Sequence, residues 1–159
     1  MTTMLSGADQ QAPTVTITED IHVQASLEST FASLITQLGR QNETPDGKPL
    51  PMIIEPKPGG RWYRDLGGDN GHLWGFVQSI KRPVLLEIWG PLFISTGATS
   101  NLMYRLSEVD GGTLISFKHS LVGPVPDEFR QHMAPGWEAI HARVKRAAET
   151  ARHEQEHPS

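Results

Sequence analysis

From Thr14 to Val23 the chain reads TVTITEDIHV, with Val15, Ile17, Ile21 and Val23 as its apolar members. Successive side chains of a strand point to opposite faces, so this alternation predicts a half-buried strand. Ser26 then stands before Leu27, Phe31, Leu34, Ile35 and Leu38, which recur at helical spacing. A serine hydroxyl can accept from a free N–H of a first turn, and Gly39 supplies a stop, so a short helix follows the strand. The stretch Gln41 to Pro51 (QNETPDGKPLP) is a loop by composition.

Strand patterning returns at Met52. Met52–Glu55, Arg61–Leu66, His72–Ile80, Val84–Trp89, Ser100–Glu108 and Thr113–Leu121 are six candidates with short connections. Asp110-Gly111-Gly112 is the strongest hairpin signal, because glycine admits the positive φ of a tight turn. Strands this close together leave no room for crossover helices, so they form an antiparallel meander. Finally Phe129, Met133, Trp137, Ile140, Val144 and Ala148 make one apolar stripe on a helix from about Pro126 to Arg152. Pro135-Gly136 predicts a kink or break within it, since proline removes a hydrogen bond and clashes with the preceding turn. The expected organisation is a disordered segment over 1–13, one domain over 14–152 and a polar tail over 153–159.

Composition narrows the functions. The chain has 159 residues, 37% of them hydrophobic and 20% charged, as suits a globular domain with its own core. A net charge of −4 disfavours nucleic acid and anionic membranes, both of which recruit Lys and Arg. There is no cysteine, which removes disulfides, thiolate metal sites and a cysteine nucleophile. No leader-like start and no long apolar run is seen, so a cytoplasmic protein is expected.

Three motifs carry a resemblance. Glu55-Pro56-Lys57-Pro58-Gly59-Gly60-Arg61-Trp62 resembles the E-P-x-P-G-G-R-[WF] segment of the SRPBCC superfamily, in the branch named after the activator of the heat-shock-protein-90 ATPase. Gly112-Thr113 through His119 is similar to that branch's G-T-x-L-x-L-x-H strand, and Gly136-Trp137 to its G-W pair. The likeness runs roughly from Val15 to Ala148. It implies an α+β helix-grip fold: a curved antiparallel sheet of six to seven strands around a long C-terminal helix, with short helical structure after the first strand. It also implies a deep cavity between sheet and helix. It does not imply one activity, because the fold hosts lipid carriers, cyclases, resistance proteins and co-chaperone domains.

Alternation sets Ile115, Phe117 and His119 on one face and Lys118 on the other, so the His119 face points inward. His119 is then a candidate anchor for a ligand's polar end, or a general acid or base, set against an ordinary half-buried histidine with a backbone partner. Glu55 and Glu87 are the carboxylates that could assist it, although glutamates on strands are usually solvated. Trp62, Trp74, Phe76, Trp89, Met103, Phe117, Met133 and Trp137, together with His119, are the candidate cavity residues; plain core packing competes with that role at each. Alternation does not decide which face Glu87 and Trp89 occupy.

His132 and His141 are nine residues apart, which at about 100° per residue puts them on opposite faces of a straight helix, so no metal site is expected of them. The PGG turn lacks the Lys-Ser/Thr of a phosphate loop, and no serine stands in G-x-S-x-G. No cofactor is expected. The leading expectation is a protein that holds a small hydrophobic ligand. An enzyme using the same pocket and a chaperone-linked interaction protein are the alternatives, and an edge strand or the loop after Trp89 offers a route to a homodimer.

Overall fold

In the computed structural model, which describes residues 13–157, seven strands form one antiparallel sheet against which two helices pack. The first twelve residues, nearly all of the segment expected to be disordered, lie outside the described residues. β1 (Thr14–Val23) leads to α1 (Leu27–Leu38), then β2 (Ile53–Ile54), β3 (Arg61–Gly67), β4 (Asn70–Lys81), β5 (Leu85–Gly90), β6 (Thr99–Val109), β7 (Gly112–Val122) and α2 (Asp127–Glu156). The sheet order is β1-β7-β6-β5-β4-β3-β2. From β2 to β7 this is the expected meander, with β1 closing on the far side of β7.

Local chemistry explains the boundaries. The Ser26 side chain accepts from Ser29 N at 3.1 Å and starts α1. Asp110 and Gly111 close the β6–β7 hairpin, with Gly111 at φ 75° and Val109 paired to Gly112. The Glu55–Trp62 motif is a clasp. Glu55 Oε1 accepts from both the backbone N and the side-chain Nε of Arg61 at 2.8 Å, and the Trp62 indole N–H donates to Leu38 O at 2.8 Å. The second bond satisfies a carbonyl at the end of α1 that no helical N–H can reach.

The buried side chains of the sheet face the helices. Leu86, Ile88, Leu102, Tyr104, Leu106, Ile115, Phe117 and Val23 meet Phe31, Leu34 and Leu38 of α1 and Trp137, Val144 and Ala148 of α2 in one core. Of the kink or break expected in α2 the break is absent, and the expected end of the helix is corrected. The helix is unbroken through Pro135, and it continues to Glu156, past the expected end at Arg152. Pro135 sits on the exposed side of α2, so the carbonyl deprived of its partner is Gln131's, on an exposed residue where water can replace the bond. The extension is held by Arg152, which donates to Gly111 O at 3.1 Å and pairs with Glu156 at 2.9 Å.

Candidate functional site

The two halves of α2 are held differently. In the C-terminal half, Ser33 Oγ donates to Val144 O at 2.8 Å, Lys145 Nζ to His22 O at 2.6 Å, and Gln24 N to Glu149 Oε2 at 3.0 Å. Those bonds lash that half to α1 and to the end of β1. The N-terminal half instead roofs an apolar pocket of about 300 Å³. Its walls are Phe129, Met133, Trp137 and Ile140 of α2, Trp74 of β4, Phe93 after β5, and Asn42 to Pro45 with Leu50 from the loop after α1. Gly136 also faces it, and a Cβ built there would meet no atom within 4 Å.

Each wall has a local cause. Trp62 pairs with Gly75 and Tyr63 with Leu73, which leaves Trp74 as the extra residue of a β-bulge. A bulge re-aims the side chain it carries, and here it turns Trp74 under α2. Trp74 then packs edge-on against Trp62 at 5.1 Å and Phe93 at 5.8 Å between ring centroids. Gly75 and Gly90 make this possible: a Cβ on Gly90 would stand 2.4 Å from Trp74 O, and one on Gly75 2.6 Å from Trp89 O. The loop wall is itself ordered, with Leu50 N donating to Asn42 O and Thr44 N to Lys48 O, each at 2.8 Å. Arg143 Nη2 of α2 donates to Glu43 O at 3.2 Å and ties that loop to the helix.

By sequence the chain matches no protein-family model and no curated protein. Solved structures do match. A solution structure of the Aha1 dimer from Colwellia psychrerythraea is 19% identical, with a TM-score of 0.63 over 85% of this chain and 96% of that one. The crystal structure of Ara h 8.0201 is 16% identical, with a TM-score of 0.62 over 87% and 99%. The di-domain ARO/CYC StfQ from the steffimycin biosynthetic pathway is 8% identical, with a TM-score of 0.62 over 87% of this chain and 52% of that one.

The chain has the helix-grip fold.

In this helix-grip chain the expected cavity residues divide into three groups. Trp74, Met133 and Trp137 line the pocket. Trp62, Phe117 and His119 lie in the packed interior and not on its wall. Phe76, Trp89 and Met103 are on the opposite face of the sheet. Phe76 pairs with Trp89, and Met103 with Glu87 and Lys118, while the alternate residues Val77, Ile88, Leu102 and Tyr104 are the buried ones. The Trp74 bulge is the reason for Phe76: two residues on from an inward side chain, it points outward. Trp89 is 45% exposed and stacks on Phe76 at 5.5 Å.

His119 is 1% exposed and fully engaged. The Trp137 indole N–H donates to Nδ1 at 3.0 Å, so Nδ1 is an unprotonated acceptor, and Nε2–H donates to Ser100 Oγ at 2.8 Å. Burial pulls its pKa down to about 4, so it is neutral at physiological pH. Glu55 does not approach it. That carboxylate is held at a pKa of about 2, first by its hydrogen bond from the Arg61 side chain. Glu87 accepts from Ser79 Oγ at 2.7 Å and Asn101 Nδ2 at 2.9 Å on the outer face. The structure therefore brings neither carboxylate to His119.

A polar chain that the sequence reading did not single out lies under α2. The Tyr104 hydroxyl is 2.9 Å from His141 Nε2, and His141 Nδ1 bonds Glu19 Oε1. Burial lowers the His141 pKa, opposed by the Glu19 hydrogen bond and charge. His141 stands four residues after Trp137 on the apolar stripe, and that spacing is the signal that could have found it. Tyr104 and His141 are both buried away from the pocket, so this chain fastens β1, β6 and α2 together. One H-E-x-x-H spelling also occurs, from His153 to His157 at the end of α2. It was not anticipated, and its two rings lie 4.7 Å apart. Both are exposed, His157 has left the helix, and among the described residues no group of three His, Cys, Asp or Glu is placed to hold a metal ion. Among the described residues no helix is long and apolar enough to cross a membrane.

Proposed function

We propose that the protein holds a small, largely apolar molecule in the pocket beneath the N-terminal half of α2. The carrying observation is Gly136. Glycine inside a helix costs about 1 kcal/mol relative to alanine, and here a Cβ would meet only open space. No contact in the structure requires glycine; what it leaves free is the volume of the pocket. Four aromatic walls, Trp74, Phe93, Phe129 and Trp137, suit a flat guest. A cavity of about 150 Å³ accepts benzene, so 300 Å³ leaves room for two or three fused or linked rings.

Binding, not catalysis, is the reading these groups support. The His119 ring nitrogens are both occupied, and among the described residues no second titratable side chain stands within hydrogen-bond reach of them. The likeness to known structures is one of fold, and it carries no substrate across. The test is titration with N-phenylnaphthylamine, an uncharged dye whose emission rises in apolar surroundings. Saturable binding at one site per chain is expected. Emission that stays at its value in buffer would end this reading.

A further inference from the structure

We infer that Asn42 sets the specificity of this pocket and that its guest is an uncharged aromatic molecule bearing a hydrogen-bond donor, such as a phenol. The inference rests on the ligand-binding reading above. Asn42 lines the pocket and is 3% exposed, yet its Oδ1 has no hydrogen-bond partner among the described residues. Buried polar atoms ordinarily have partners, and an acceptor left without one is desolvated for no return. Its backbone gives it no freedom to leave: Asn42 N donates to Gly39 O at 3.0 Å, and Asn42 O accepts from Leu50 N. As it stands Oδ1 is closed off from the open volume, and a turn of the side-chain amide about its soft terminal torsion brings it to a donor carried by a guest.

The other polar groups of the wall are already used or open to solvent. The Trp74 indole N–H donates to His72 Nδ1 at 3.2 Å and that of Trp137 to His119. Thr44 Oγ1 bonds Asp46 and accepts from Lys48 N at 3.0 Å. Glu43 stands 3.6 Å from Arg143 Nε, and His132 is at the exposed rim. No lysine or arginine lines the pocket, so a carboxylate guest would find no counter-charge and would face Glu43. An apolar guest without a donor would leave Oδ1 as it is now. A neutral aromatic hydroxyl or N–H answers both conditions.

The test is calorimetric titration of the full chain and of Asn42→Leu with naphthol, its methyl ether and naphthoate. Wild type should bind naphthol about tenfold more tightly than the ether, with naphthoate weakest, and Asn42→Leu should lose that preference. Equal affinity of wild type for naphthol and ether overturns the inference and leaves the pocket reading standing, as does a preference that survives in Asn42→Leu. Since the wild-type comparison suffices alone, a variant that fails to fold does not block the test. No binding of any of the three overturns the pocket reading and this inference with it.

Discussion

Filling the pocket from Gly136 separates an occupied functional space from an ordinary packing defect. In Gly136→Ala the new methyl meets no atom within 4 Å, so no steric cost opposes the gain in helix propensity. That gain is about 1 kcal/mol, which for a chain of this size raises the unfolding midpoint by about 3 °C. Gly136→Leu adds three more carbons that project toward Trp74 and Phe93, each worth up to about 0.8 kcal/mol if fully buried, less the rotamer freedom lost. The same side chain stands where the guest would lie. Urea unfolding and dye titration on the same samples read both effects. Alanine should stabilise, and leucine should be at least as stable as alanine while weakening dye binding by about tenfold or more, ~1.4 kcal/mol. A destabilised Gly136→Ala, or a Gly136→Leu that binds the dye like wild type, would refute the reasoning.

Three further outcomes follow from the same geometry. His119 has its pKa lowered from 6.5 to about 4 by burial, so below pH 6.5 the unfolded chain takes up a proton that the fold resists. Stability is fully present above that pH and falls by on the order of 3 kcal/mol as pH drops through 4; His141 adds to the same trend, and His119→Gln should flatten the curve in urea unfolding at stepped pH. Trp62→Phe removes the donor to Leu38 O and should cost about 1–3 kcal/mol in the same assay, without loss of dye affinity. Trp89→Ser changes an exposed side chain on the outer face, and should leave both the unfolding midpoint and dye binding near wild type.

The strands were legible because each buries one face, and alternation records that directly. Thr14–Val23 and the inward set Ile115, Phe117 and His119 lie where period two puts them. The facing of Phe76 was not legible, because one extra residue at Trp74 reverses the side chains from there to Val77, where a second register shift restores them, and a bulge leaves no mark in a hydrophobic pattern. The loop after α1 looked like a connection by composition, yet its bonds between Asn42 and Leu50 make it a wall of the site. Pro135 was read as a breaker because propensity is local, whereas the packing of Met133, Trp137 and His141 holds the helix on both sides of it. Glu55 reads in sequence as a carboxylate that could assist His119, but its partner six residues on, Arg61, makes it a turn clasp.

The most direct test of the pocket is an NMR titration with naphthol that follows the indole N–H signals of the four tryptophans. The signals of Trp74 and Trp137 and the amide of Gly136 should move together and saturate, while that of Trp89 stays still. Movement at Trp89 alone, or none at any of them, would contradict the placement of a ligand beneath α2.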